Sequence, residues 1–187
     1  MDAGKLRTGN KILLEKQPFV VLNYTLRPQS RGSAKMITKL KNLITGATIE
    51  KTFPSGENLP EADIVIARAQ YLYNDGSNYI FMDNETFEQF EFSQEKLDNT
   101  TNYLKDGMDV SIMKFNGNPI NVELPPTITL QVVETDPGVK GDTATGGNKP
   151  AKLETGVTVN VPLFINVGDN IVLNTITGEY KERADKN

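Results

Sequence analysis

The chain has 187 residues, 20 Lys/Arg against 24 Asp/Glu for a net charge of −4, and 37% hydrophobic residues, a balance that excludes a disordered chain. It contains no Cys and no His, so disulfide frameworks, Cys/His zinc sites, Cys nucleophiles and every triad with a His base are excluded together. With no apolar leader and no run long enough to span a bilayer, a soluble cytoplasmic protein is expected, of one large domain or two to three small ones.

Apolar residues recur with the short period of strands, and no stretch carries three or four clean helical turns, so the expected fold class is all-β. In the first third, strands are expected over residues 11–14, 19–25, 35–42 and 48–53, separated by Gly, Pro, Asn and Ser at the spacing of a small barrel. The stretch PSGENLP at 54–60 punctuates the chain. A second series follows over 64–69, 69–74, 79–83 and 87–92. Residues 93–103 are expected to hold a short helix with Ser93 as its cap, Gln94 and Glu95 in its first turn, and Leu97 and Leu104 at helical spacing. A hairpin with an Asn116-Gly117 turn joins strands over 109–115 and 119–123, and Pro125-Pro126 makes a stiff linker. The last third adds strands over 127–134, 157–161, 170–174 and 179–183, with a long polar loop running from Asp136 through Pro150. Three small β-barrel domains are expected, at 1–61, 62–125 and 126–187.

The net charge conceals an asymmetry. Residues 1–61 hold ten Lys/Arg and five Asp/Glu, net +5; residues 62–125 hold four and eleven, net −7; residues 126–187 hold six and eight, net −2. A basic first third on an acidic remainder suggests that one end meets a polyanion. The stretch RPQSRGSAK at 27–35 reads as a hairpin loop bent by Pro28 and Gly32 with Arg31 at its tip. By itself such an arginine is ordinary solvated surface. Its company is less ordinary: Arg27, Lys35, Lys39 and Lys41 surround it, and no acidic residue occurs from Gln17 to Ile49, which is what phosphate contacts require.

Gly141, Gly146 and Gly147 with Lys149 do not make a phosphate cradle, because Pro150 follows the lysine where a Walker loop needs Ser or Thr opening a helix. A polar loop of that length is functional or mobile more often than it is packing. Asp83, Glu85, Glu88 and Glu91 have no spacing that separates a glycosidase pair or metal site from the solvent face of a strand.

Several segments together resemble the bacterial elongation factor P family: YLYNDGSNYIFMDNETFEQ at 71–89, ETDPGVKGDTATGGNKPA at 134–151, LETG at 153–156, VPLFIN at 161–166 and TGEY at 177–180, with KLKNLITG at 39–46 and EKTF at 50–53 in the first domain. The resemblance covers essentially the whole chain. It implies an SH3-like, KOW-type barrel followed by two OB-fold barrels in an L-shaped outline that mimics transfer RNA. It implies a monomeric cytoplasmic translation factor that binds the 70S ribosome between the peptidyl and exit sites and contacts peptidyl-tRNA. There it relieves stalling at consecutive prolines; the factor itself is not an enzyme and needs no metal or cofactor. Many members carry Pro-Gly-Lys-Gly at the tip, with the lysine extended by a modifying enzyme, whereas this chain has Gln29-Ser-Arg-Gly32. Members with arginine there can be rhamnosylated, so Arg31 is expected to be the functional tip, bare or modified by an enzyme such as an arginine rhamnosyltransferase. RNA contacts are expected at Arg27, Lys35, Lys39 and Lys41, and in the third domain at Gly146, Gly147, Tyr180 and Arg183.

Two alternatives stand beside this reading. Gly32 also resembles the elongation-factor-P-like paralogue, although the third-domain segments are closer to the factor proper. From the residues alone, an OB-fold binder of single-stranded nucleic acid could stack bases on Tyr71, Tyr73, Tyr79 and Phe81, the spacing of two placing Tyr71 and Tyr73 on one face. The −7 charge of that segment opposes it.

Overall fold

The computed structural model describes residues 1–30, 32–138 and 147–184. Its strands form three sheets with almost no helix, the expected all-β class. The chain packs as two compact units, residues 1–67 with 112–121 and residues 68–111 with 122–187.

The first sheet is an antiparallel meander of β1 (Lys11–Leu14), β2 (Gln17–Arg27), β3 (Lys35–Asn42) and β4 (Thr48–Pro54). Its strands alternate as a half-buried sheet must. In β3, Met36, Thr38, Leu40 and Asn42 face inward while Lys35, Lys39 and Lys41 face out. The apolar members of this inward set, Met36 and Leu40, pack with Leu6, Ile12, Phe19, Val21 and Phe53 into one core. The set's two buried polar members are satisfied: the Thr38 hydroxyl donates to the Lys51 carbonyl at 2.7 Å and Asn42 Nδ2 donates to Gln17 Oε1 at 2.5 Å, so neither is stranded there.

The second sheet takes the order β7-β6-β5-β8-β9 from β5 (Ile64–Asn74), β6 (Asn78–Asp83), β7 (Gln89–Ser93), β8 (Asp109–Phe115) and β9 (Asn118–Glu123). Residues 64–74 are one continuous strand, not two. The strand expected from Phe87 begins at Gln89, because Phe87 adopts a left-handed φ of 58° inside a turn. Ser93 does cap a helix, its hydroxyl accepting from the Lys96 amide at 3.2 Å. That helix, α1 (Gln94–Leu97), is a single turn; Asp98 at φ 46° ends it and a 3-10 segment continues to Tyr103.

The third sheet takes the order β12-β11-β10-β13-β14 from β10 (Thr127–Thr135), β11 (Asn148–Leu153), β12 (Thr158–Pro162), β13 (Asn170–Asn174) and β14 (Tyr180–Arg183). β11 occupies the end of the stretch expected to be loop through Pro150. Its sequence, NKPAKL, carries two lysines and a proline and has no apolar alternation, yet Lys149, Ala151 and Leu153 all point inward. Tyr103 and Met108, from the second sheet's connections, pack against this third core, and Lys105 Nζ meets Glu154 Oε1 at 3.1 Å.

One turn recurs in every sheet. After β3, Asn42 Oδ1 accepts from the amides of Ile44 and Thr45, Gly46 N–H donates to the Asn42 carbonyl, and Thr45 Oγ1 accepts from Ala47 N–H. After β6 the same bonds are made by Asp83, Glu85, Thr86, Phe87 and Glu88. After β13 they are made by Asn174, Ile176, Thr177, Gly178 and Glu179. A short acceptor side chain that satisfies two loop amides, followed by a residue at positive φ, is a local solution each sheet uses to reverse the chain.

Candidate nucleic-acid interface

Strand pleating decides where the cations go. Because side chains of a strand alternate, Lys35, Lys39 and Lys41 emerge from one face of β3 in a row about 20 Å long. The β2 partner of Lys35 is Arg27, and beside Lys39 lies Asn23, so the basic row is flanked by polar and cationic neighbours across the hairpin. Glu50 on β4 is the register partner of Lys39. Among the described residues, nonetheless, no ion pair engages Arg27, Lys35, Lys39 or Lys41. Four solvated cations left without protein counter-charges are available to phosphates. Arg27 and Lys35 close the base of the 28–34 connection. Arg31, the expected tip residue, lies outside the described residues.

In the third sheet the expected pair is brought together by an irregularity that the sequence does not display. Residues three apart on a regular strand face opposite ways. Here the β13–β14 register shifts between Val172 and Leu173, so that Tyr180 pairs with Leu173 and Arg183 with Ile171, two residues of one inward face. The bulge therefore puts Tyr180 and Arg183 on the same side. Tyr180 packs against the third core, while the Arg183 guanidinium lies 5.7 Å from the centroid of Phe164, a ring that is 58% exposed. Cation–π contact of this kind orders an otherwise free arginine. Gly147 is half-buried at the start of β11, and Gly146 lies outside the described residues, as does Gly141. Lys149 is buried, its ammonium donating to the Asp136 carbonyl at 2.5 Å. Its charge is spent on the protein's own backbone.

The stacking platform imagined for the second sheet does not exist. The β5–β6 register shifts between Tyr71 and Tyr73, so these tyrosines face opposite ways despite their spacing of two. Tyr71 is 4% exposed and Tyr73 48%. Phe81 is fully buried, with its ring 5.3 Å from Tyr71 and 5.8 Å from Phe92. Burial, with Asp106 and Tyr79 adding smaller repulsions, pushes the Tyr71 hydroxyl up to about 12 from its ordinary 10.0. Asp83 is likewise not on a solvent face. It is buried, with its carboxylate bonded to the amides of Glu85 and Thr86. Among the described residues no three carboxylates stand close enough to hold a metal ion, and no helix is long and apolar enough to cross a membrane.

Two exposed aromatics do not stand out from sequence. Phe164 follows Pro162-Leu163 in a run with no polar residue to mark it as exposed, and Phe87 falls in the expected 87–92 strand. A signal for Phe87 is nevertheless present, since Asn42-x-x-Thr45-Gly46, Asp83-x-x-Thr86-Phe87 and Asn174-x-x-Thr177-Gly178 align as one repeated turn.

Three family models match the chain in succession: the elongation factor P KOW-like domain over residues 2–59, the elongation factor P OB domain over 66–122 and the elongation factor P C-terminal domain over 128–183. Elongation factor P of Dictyoglomus thermophilum is 50% identical over 94% of this chain and 95% of that protein. The protein of the same name from Moorella thermoacetica is 50% identical over 98% and 100%. Among solved structures, eukaryotic translation initiation factor 5A from Methanococcus jannaschii superimposes with a TM-score of 0.54 at 19% identity, covering 64% of this chain and 88% of that one, a likeness of fold.

Proposed function

This chain belongs to the elongation factor P family of translation factors, and we propose that it binds the 70S ribosome beside peptidyl-tRNA, between the peptidyl and exit sites, and speeds peptide bond formation at consecutive prolines. The observation that carries the proposal is the row of unpaired cations on the first sheet, Lys35, Lys39 and Lys41 with Arg27 across the hairpin. They hold transfer-RNA phosphates, which position the factor without reading sequence. Tyr180 and Arg183, with Gly146 and Gly147, supply the contacts of the third domain. The three domains divide at 61/62 and 125/126.

The factor performs no bond-making of its own and uses no cofactor. Proline's secondary amine attacks poorly, and a loosely held peptidyl-tRNA end makes attack geometry rarer still. Holding that end converts lost orientation into rate, an effect worth up to several kcal/mol, at most about 7–11 for ideal positioning. Arg31 reaches that end from the middle of the 28–34 connection, bare or after modification by an enzyme such as an arginine rhamnosyltransferase. Its planar guanidinium offers five donors to phosphate or ribose oxygens. The protein works as a cytoplasmic monomer.

The test is translation of a Pro-Pro-Pro reporter. Arg31→Ala is expected to abolish relief of stalling while leaving ribosome affinity and melting temperature near wild type, and Arg31→Lys to rescue poorly. Full relief by the alanine variant would remove Arg31 from the mechanism and make Lys35 the next candidate. Intact mass of the native protein decides whether the peptide containing Arg31 carries a deoxyhexose.

A further inference from the structure

The repeated turn gives an internal control for one residue. Its fifth position has φ 76° at Gly46, 74° at Gly178 and 58° at Phe87. Left-handed backbone suits glycine and is a genuine outlier for a bulky aromatic. Phe87 is also 69% exposed, and among the described residues no aromatic or cation–π contact engages its ring. Its side chain therefore gains little from packing, while its backbone sits where the two sister turns use glycine. The turn closes identically in all three sheets, so nothing in the reversal itself calls for an aromatic. The same turn carries two exposed carboxylates, Glu85 two residues before Phe87 and Glu88 directly after it.

We propose that Phe87 is an apolar anchor presented to a partner protein with a basic surface, its ring entering an apolar pocket whose rim carries lysine or arginine facing Glu85 and Glu88. Aromatic side chains supply most of the affinity at protein interfaces when seated in a desolvated pocket. Complementary charge at the rim steers approach and register. A nucleic-acid strand does not fit this tip: the same turn holds both carboxylates, and the segment 62–125 carries net −7. The first sheet's lysines and this tip thus address different chemistries, phosphates in one case and a basic protein in the other.

The probe is the purified 70S ribosome, so the test rests on the function proposed above. Phe87→Gly gives the turn the residue its sisters carry. Melting temperature is expected to rise by about 2 °C as the backbone strain is relieved, and ribosome affinity to fall about fivefold. With p-benzoylphenylalanine in place of Phe87, irradiation on ribosomes is expected to cross-link a basic ribosomal protein, identified by mass spectrometry. Cross-links to ribosomal RNA, no cross-link, unchanged affinity of Phe87→Gly, or a melting temperature that drops would each overturn the proposal. Wild-type protein that fails to bind ribosomes at all would instead sink the proposed function. If wild type binds and Lys39→Glu with Lys41→Glu weakens it while Phe87→Gly does not, only the anchor is wrong.

Discussion

The Tyr103 hydroxyl stands 2.6 Å from the point a Cβ on Gly178 would occupy, so the 3-10 segment leaving the second sheet closes directly over the β13–β14 turn. Tyr103 is held there by packing against the third core, which also receives Met108. Gly178 thus answers two demands at once: a φ of 74° and room for a phenol.

Gly46 isolates the first demand, since it has φ 76° in the same turn and nothing near its missing Cβ. Gly46→Ala is expected to cost about 1 kcal/mol from backbone strain alone. Gly178→Ala should cost about 2–3 kcal/mol, the excess arising from overpacking against the Tyr103 ring, which packs on the third core. Adding Tyr103→Phe to Gly178→Ala should recover most of that excess. Urea unfolding of wild type, Gly178→Ala, Tyr103→Phe and the double variant measures the cycle, and equal costs for the Gly46 and Gly178 alanines would show that Tyr103 yields freely.

Burial of Tyr71 predicts an alkaline limb. Its folded-state pKa, about 12, lies above the ordinary 10.0. Below pH 10 folded and unfolded chains both keep the proton and nothing is lost. Between pH 10 and 12 the unfolded chain gives it up while the folded one does not, so stability declines as pH rises through that window. Tyr71→Phe removes this contribution. Its urea midpoint should fall less steeply than wild type between about pH 9 and 11.5, after allowance for the offset at neutral pH. Parallel curves would mean that Tyr71 ionises normally.

Several features of the fold are legible in the sequence because local chemistry governs them. The 11–14, 35–42, 109–115 and 170–174 strands fall where alternation and turn residues put them, and Ser93 caps because its hydroxyl competes for a free helix amide. The basic row is legible for the same reason, since alternation along 35–41 fixes which lysines share a face. What escapes depends on partners distant in sequence. β11 is a strand because β10 and β12 offer it ladders and Asp136 offers Lys149 a carbonyl, and no local pattern reports that. Likewise a bulge reverses every later side chain. It separates Tyr71 from Tyr73 and unites Tyr180 with Arg183, and neither outcome can be read from spacing.

Reversal of the lysine row tests the phosphate contacts directly. Lys39→Glu with Lys41→Glu leaves the buried face of β3 untouched, so melting temperature should change little. Ribosome affinity should drop at least about tenfold at low salt. The slope of log affinity against log salt should flatten by about one for each phosphate that a lysine no longer neutralises. An unaltered slope would show that these lysines face solvent and not RNA.

The last prediction concerns how Arg183 is held. On a solvated strand end an arginine samples many rotamers, and any contact it makes must first overcome that freedom. The exposed ring of Phe164, 5.7 Å from the guanidinium carbon, restricts it before a partner arrives. Phe164→Leu keeps an apolar side chain of similar reach and removes the π face. Because the ring is more than half exposed, stability should change by less than about 0.5 kcal/mol. Ribosome affinity should fall about threefold, and Phe164→Tyr should restore it, since a phenol presents the same face. Arg183→Ala sets the full size of the effect. In the Arg183→Ala background, Phe164→Leu should add nothing, because the ring then has no guanidinium to order. An additive loss would show that Phe164 touches the partner itself, and no loss from Phe164→Leu alone would show that Arg183 is ordered by its own strand.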